Sequence, residues 1–279
     1  MISFPNCKIN LGLHVVSKRA DGFHNIETIF YPVPLRDALE INVAKNNSGP
    51  DVQFTSAGLP IPGDTSNNLC VKAYEILKTD FPALPPIAIH LLKAIPMGAG
   101  LGGGSADGAF TLKAINTKFE LGLTQEQLLV YALQLGSDCP FFIINQPCVG
   151  TGRGEILEPI SLALEAFDLV IVNPGIHVNT GWAFSQLNLS SYSPDGEGSL
   201  KHSVQQPVST WKDILTNDFE EPVFSNHPEL LQIKNSLYTS GAVYCSMSGS
   251  GSSLFGLLPK DVKILPTFST HYLVKRVKL

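Results

Sequence analysis

Charge is scarce in this chain, and neither sign is concentrated. Only 15 % of the 279 residues are Asp, Glu, Lys or Arg, the net charge is −5, and no strong basic run occurs. That balance argues against a nucleic-acid binder working by bulk electrostatics. The densest basic cluster, Lys275-Arg-Val-Lys278, alternates like an edge strand. No apolar run approaches the ~20 residues that a membrane span needs. The opening Met1-Ile-Ser-Phe-Pro-Asn6 lacks the charged-then-apolar order of a secretory leader. Cysteine is sparse and unpatterned: five residues, at 7, 70, 139, 148 and 245, with no CxxC pair. An odd count at irregular spacing suits reduced thiols packed in a core. The seven histidines are scattered, so no metal-ligand cluster is expected. These absences point to a cytoplasmic protein that binds neither membrane nor nucleic acid; the expected assembly is a monomer or a homodimer. Its 44 % apolar content supplies an ample core, and the length suits two modest domains or one large one.

Glycine, by contrast, is concentrated. Pro96-Met-Gly-Ala-Gly-Leu-Gly-Gly-Gly-Ser-Ala-Asp107 follows a β-branched, apolar segment, Ile87-Ala-Ile-His-Leu-Leu92, that reads as a strand. After it, Gly108, Leu112, Ile115 and Phe119 fall on one face of a helix. A glycine loop feeding a helix N-terminus aims free N–H groups and the positive dipole end at one point, which is an anion site. The P-loop pattern fails, because Ser105 and not lysine follows Gly104. Gly98-x-Gly100-x-x-Gly103 matches the dinucleotide fingerprint, but Glu120, near the required distance, ends a helix and not a strand. A plain turn does not need three consecutive glycines, whose backbone entropy opposes ordering. A phosphate cradle fits best.

Upstream, Cys7 to Val16 alternates, with Lys8, Asn10, Gly12 and His14 on one face. Asp21-Gly22 marks a hairpin tip that places Phe23 and His24 directly after it. Ile26–Ile29 and Ala38–Val43 read as strands, and 45–68 as a polar, turn-rich section. Leu69–Lys78 reads as a helix capped by Asn67 or Asn68. Thr124-Gln-Glu-Gln127 is a capping box opening a helix that buries Leu128, Ala132 and Leu135. Gly136 stops it, and Phe141-Phe-Ile-Ile144 reads as a buried strand, with Asp138 at the junction. Gly150-Thr-Gly-Arg-Gly154 is a flexible loop that offers Arg153 to an anion. Strands are expected at Asp168–Val172, Ala242–Met247 and Ser253–Leu257, the last two flanking a second small-residue loop, Ser248–Ser252. The stretch from Leu187 to about Thr210 reads as a surface loop.

Together, Lys8-Ile-Asn10-Leu11, the 96–105 loop and Ser248-Gly-Ser-Gly251 resemble the GHMP kinase superfamily. Arg19-Ala-Asp-Gly-Phe-His24, Asn67-Asn-Leu69, Gly136-Ser-Asp-Cys-Pro140 and Asn173-Pro-Gly175 are similar to one branch of it. That branch uses ATP to phosphorylate the 2-hydroxyl of a cytidine diphosphate ester on the non-mevalonate route to isoprenoid precursors. The resemblance implies an α+β fold of two domains, ATP-binding over 1–150 and substrate-side over 151–279, with the active site in the cleft between them. It implies ATP and Mg²⁺ as cofactors and makes Asp138 the catalytic aspartate with Lys8 as its neighbouring lysine. Pro96, Met97, Gly98, Ala99, Gly100, Leu101, Gly102, Gly103, Gly104 and Ser105 match the residues that hold the triphosphate, with Ser105 near the metal and Asn68 by the adenine. Asn10, Phe23, His24 and Phe184 match a cytidine pocket in which two aromatic rings sandwich the base and His24 reads its edge. Phe23 replaces a tyrosine common in relatives, and Ser248 a threonine. Three rivals remain on the residues alone: a non-enzymatic nucleotide-binding module, a dinucleotide-dependent oxidoreductase, and a sister kinase for homoserine or mevalonate. Asp21-Gly-Phe-His24 argues against the last, since a small alcohol leaves no planar ring to stack.

Overall fold

A computed structural model describes residues 1–44, 50–187, 199–263 and 266–279. Its strands are β1 (Ile2–Ser3), β2 (Asn6–Lys18), β3 (His24–Arg36), β4 (Ala38–Val43), β5 (Val52–Gly58), β6 (Ile87–Lys93), β7 (Cys148–Thr151), β8 (Ile156–Pro159), β9 (Phe167–Asn173), β10 (Tyr244–Met247), β11 (Leu254–Pro259) and β12 (Leu273–Lys278). Its α-helices are α1 (Leu69–Asp80), α2 (Gly103–Lys118), α3 (Gln125–Leu135), α4 (Cys139–Ile144), α5 (Thr180–Ser185), α6 (Leu200–Ser203), α7 (Trp211–Ile214), α8 (Glu220–Asn226) and α9 (Pro228–Thr239). Two compact units interleave along the chain. The first comprises Met1–Cys7, Leu35–Met97 and Gly102–Gln146; the second comprises Lys8–Pro34, Gly98–Leu101 and Pro147–Leu279. Among the described residues no helix is long and apolar enough to cross a membrane.

The first unit packs α1 and α2 against a sheet of order β1-β4-β6-β5, and α3 and α4 pack on those helices. Alternation along β6 buries Ile87, Ile89 and Leu91 and turns Ala88, His90 and Leu92 the other way, as period 2 requires. Asn68 caps α1, its Oδ1 accepting from Cys70 N at 2.9 Å. Thr124 and Gln127 close the capping box that opens α3. Helix α1 lies tight on α2 because residue 108 is glycine: a Cβ there would fall 2.8 Å from Leu69 Cβ.

Two expectations change in this unit. The run Phe141-Phe-Ile-Ile144 is not a strand but helix α4, packed on α2 and α3. Four apolar residues carry no period that separates a buried strand from a buried helix, and Pro140 at the first turn starts a helix readily. The polar stretch before α1 contains a strand, β5, which pairs in parallel with β6 at the end of the sheet. Most of β5 is exposed, so its composition lacks the apolar signal of a buried strand; residues 45–49 of that stretch lie outside the described residues.

The second unit holds two antiparallel sheets. In the order β10-β11-β9-β12, central β9 buries Leu169, Val170, Ile171 and Val172 completely, and β12 is the expected edge. Helix α9 covers β10 and β11, and Phe219, Leu230, Leu237 and Met247 join one core with β9. The other sheet has the order β2-β3-β7-β8, and its first hairpin turns at Gly22, with φ 85°. The supposed surface loop before Thr210 is corrected in part. Residues 188–198 lie outside the described residues, but beyond them come α6 and α7, with Leu200 and Trp211 fully buried. These apolar residues are too far apart to show a period, so only tertiary packing reveals them. All five cysteines are buried thiols.

Candidate active site

The glycine loop has the backbone that its composition anticipates. Gly98, Gly100 and Gly102 have φ of 63°, 77° and 68°, while Ala99 and Leu101 between them do not share that hand. Alternation of this kind is what turns successive N–H groups to one side in anion-binding concavities. Gly102 stands at the N-cap of α2 and offers no side-chain cap, so the first N–H groups of this 16-residue helix keep their free donors and positive end. Position 100 must be glycine: a Cβ there would sit 1.9 Å from the Ser248 carbonyl oxygen.

Within the first unit, Asn68, Met97 and Gly104 line one cavity of about 220 Å³, together with Phe54, Asp64 and Asp107. The cap on α1 uses Asn68 Oδ1 as its acceptor. Asp107 was not anticipated. Its Oδ2 accepts from Lys93 Nζ at 2.7 Å, and the same ammonium donates to Asp37 Oδ2 at 2.5 Å. Asp37 Oδ1 in turn accepts from Ala94 N and Ile95 N, which ties down the chain entering the loop. Burial pushes the Asp107 carboxyl up, to about 7, against the pull of Lys93. Burial opposes the Lys93 charge, but the two carboxylates outweigh it and hold the ammonium's pKa up. Among the described residues Asp107 Oδ1 finds no hydrogen-bond partner.

Packing of α4 on α2 brings Ser105, in the first turn of α2, to the Cys139 thiol, next in sequence to Asp138. Burial raises that thiol to about 12, while the Ser105 hydrogen bond pulls it down, so Cys139 is no nucleophile. Asp138 occupies the N-cap position of α4 and makes no side-chain cap bond there.

Within the second unit, Lys8 is buried, 3 % exposed, and its ammonium donates to Asn10 Oδ1 at 2.6 Å and to the Gly100 carbonyl at 3.1 Å. Lys8 N also donates to Leu101 O at 3.0 Å, so strand β2 grips the glycine loop by both main chain and side chain. Asn10 Nδ2 donates to Thr28 Oγ1 at 2.8 Å, which donates to Gly12 O. Ser248, the third-motif residue, donates to the Gly100 carbonyl at 2.8 Å and accepts from Asn10 N at 3.2 Å. Ser253 N donates to Ala99 O at 3.2 Å. The Asn10 amide is thus engaged at both ends and 1 % exposed, and its oxygen holds the Lys8 ammonium.

Of the aromatic residues, His24 lies flat on Phe184, centroids 4.5 Å apart and planes 11° apart, and Phe184 meets Phe219 edge-on at 4.8 Å. Asn179 caps the short helix α5 that carries Phe184. Burial and nearby Lys18 lower the His24 pKa below 6.5, so at neutral pH the ring is uncharged and presents one donor and one acceptor. Phe23 meets a different partner: the Arg153 guanidinium lies 4.9 Å from its ring centre. Arg153, expected to wait for an anion, is engaged by Phe23 and by Glu155 at 3.5 Å. Pairings between residues so far apart in the sequence leave no local signal to read.

Comparison with known proteins adds the following. Residues 68–146 match the family described as GHMP kinases N terminal domain, and residues 201–264 match GHMP kinases C terminal. A protein of Bacteroides fragilis named 4-diphosphocytidyl-2-C-methyl-D-erythritol kinase is 51 % identical over 264 residues, spanning 95 % of this chain and 94 % of its own length. One of the same name from Parabacteroides distasonis is 51 % identical across 93 % of this chain and 92 % of its own. A crystal structure of 4-(cytidine 5'-diphospho)-2C-methyl-D-erythritol kinase, 30 % identical, covers 92 % of this chain and 90 % of that one with a TM-score of 0.78.

Proposed function

Because this chain belongs to the GHMP kinases, we propose that it transfers the γ-phosphoryl group of ATP to the 2-hydroxyl of 4-diphosphocytidyl-2-C-methyl-D-erythritol. The observation that carries the reading is its 51 % identity, over 95 % of its length, to a protein of that name. The reaction serves the non-mevalonate route to isoprenoid precursors and takes place in the cytoplasm.

Phosphoryl transfer needs little covalent chemistry from a protein; it needs positioning and neutralised charge. The alternating glycines 98, 100 and 102 and the uncapped start of α2 bind the phosphates through backbone N–H groups. Asn68 and Asp107 face the cavity that takes the adenine, one donating and the other accepting. Asp138 accepts the proton of the substrate hydroxyl. Lys8, held by Asn10, stabilises charge that develops during transfer. Asn10 enters this account as the residue that orients Lys8 and not as a reader of the base.

Mg²⁺ takes hard oxygen ligands, keeps several waters and relies on substrate phosphates for much of its shell. The Ser105 hydroxyl, in the first turn of α2 at the phosphate end, is a donor of that kind. The ion supplies neutralisation of phosphate charge when bound.

The cytidine ring stacks in the aromatic region. Phe184 offers a fixed face, backed edge-on by Phe219, and His24 now covers that face. His24 swings off Phe184 as the base enters and then reads the polar edge of the base.

The test is ADP release from Mg-ATP with a panel of alcohols that includes the cytidine diphosphate ester, homoserine and mevalonate. Release confined to the ester supports the assignment. Release with another alcohol and none with the ester overturns the substrate and keeps the kinase.

A further inference from the structure

Phe23 stands at a hairpin tip and is 53 % exposed, a setting in which a phenyl ring ordinarily turns freely about its side-chain bonds. Its backbone is held. Phe23 N donates to Asp21 Oδ1 at 3.1 Å, its carbonyl accepts from Arg19 N at 2.8 Å, and Arg19 clamps Asp21 through two further bonds of 3.0 and 3.2 Å. What restrains the ring comes from elsewhere in the sequence. Arg153 lies between Gly152 and Gly154, with φ of 68° and 101°, in the turn that joins β7 and β8. Ile26 N donates to Gly152 O at 2.7 Å and fastens that turn to the start of β3, three residues after Phe23. Glu155 grips the other side of the turn: it accepts from Arg153 N and lies 3.5 Å from the guanidinium. The guanidinium so placed rests 4.9 Å from the Phe23 ring centre. A planar, weakly hydrated guanidinium stacks on an aromatic face and is drawn to the ring's negative centre.

We propose that Arg153 is a positioning residue for base recognition, covering one face of Phe23 so that the ring stands as a fixed platform whose open face stacks the substrate's pyrimidine. The inference rests on the cytidine-ester reading given above. Its physical content is preorganisation: a platform ordered before binding does not lose its freedom when the base arrives. Glu155 balances the guanidinium charge, so the device works through stacking and not through attraction of the substrate's diphosphate.

The experiment is a double-mutant cycle on the full chain with Mg-ATP and the cytidine diphosphate ester. Arg153→Ala raises KM for the ester roughly two- to fivefold, the range of an exposed cation–π contact. It leaves kcat and KM for ATP within about twofold, and Arg153→Lys, which keeps the charge and loses the plane, recovers part of the loss. In a Phe23→Ala background Arg153→Ala has no further effect, because its only route to the base is gone. An equal loss in both backgrounds overturns the proposal and assigns Arg153 to the diphosphate directly. An unchanged KM in Arg153→Ala also overturns it. Wild-type protein that turns over another alcohol but not the ester refutes the functional reading itself, and the platform falls with it.

Discussion

The Lys8 ammonium donates to Asn10 Oδ1 at 2.6 Å, and from that anchor it also reaches the Gly100 carbonyl at 3.1 Å. Two residues apart on one face of β2, the pair joins a buried cation to the glycine loop. Removing the acceptor leaves the charge in place and loosens its aim.

Asn10→Ala therefore lowers kcat by roughly 10- to 150-fold, the worth of one hydrogen bond to a charged group at about 1.5–3 kcal/mol. KM for ATP changes little, because the loop's N–H groups remain. Steady-state kinetics decide the matter: a kcat within twofold of wild type contradicts the orienting role.

Asp138→Asn keeps the shape of the side chain and removes a proton acceptor. General-base catalysis contributes about 10²- to 10⁴-fold, so turnover falls by that order while ATP affinity, read by calorimetry, stays within about twofold. Loss of ATP binding together with turnover assigns Asp138 a structural role at the start of α4.

Asp107 makes a prediction about stability. Its carboxyl is pushed up to about 7 by burial, from an ordinary 3.8. Between those values the folded chain holds a proton on Asp107 that the unfolded chain has released. Stability from this group is therefore present at low pH and is lost as pH rises through about 7. Asp107→Asn is uncharged throughout and removes that contribution. Urea midpoints of the two proteins, compared from pH 4.5 to 7.5, converge toward the acid end and separate in favour of the variant near neutrality. Parallel curves contradict the assignment.

Phe184→Ala raises KM for the cytidine ester by roughly 5- to 150-fold, since stacking of a base on an aromatic ring is worth about 1–3 kcal/mol. KM for ATP stays put. Equal damage to both values shows that the ring supports the fold through Phe219 and does not read the base. His24→Ala costs discrimination between cytidine and uridine esters, because only placed donors and acceptors tell those edges apart. Since burial lowers the His24 pKa from 6.5, the neutral ring is the competent form, and KM for the ester rises only as pH falls below about 6.5. A flat profile from pH 7.5 to 5.5 rules out that role.

Local chemistry made much of this molecule legible. Asn68 before Leu69, Thr124 three residues before Gln127, and Asp21-Gly22 between alternating strands each act through neighbours in the chain, and each does so in the structure. The glycine loop was legible for the same reason, since positive φ at alternate positions is a property of glycine itself. What stayed hidden depends on long-range pairing. Lys93 acquires its meaning from Asp37, 56 residues away. Arg153 is committed to Phe23 across the hairpin sheet, which nothing near Arg153 foretells. Helix α4 is hidden because its apolar residues Phe141, Phe142 and Ile143 are consecutive and all buried, and a run with no polar break shows no period. Asn10 likewise takes its surroundings from afar: it is buried, and its side chain bonds to Thr28 as well as to nearby Lys8.

Phosphorus NMR of the product tests the central claim most directly. Incubation with Mg-ATP and the cytidine diphosphate ester yields ADP and one new phosphomonoester resonance. Carbon 2 of the methylerythritol unit carries the methyl branch and no hydrogen, so transfer to the 2-hydroxyl gives a resonance without three-bond proton coupling. That uncoupled signal, growing in proportion to ADP and formed at least about 10²-fold more slowly with Asp138→Asn, is the predicted result. A proton-coupled phosphomonoester, which places the phosphate on another hydroxyl, or ADP release with no phosphorylated ester, contradicts the account.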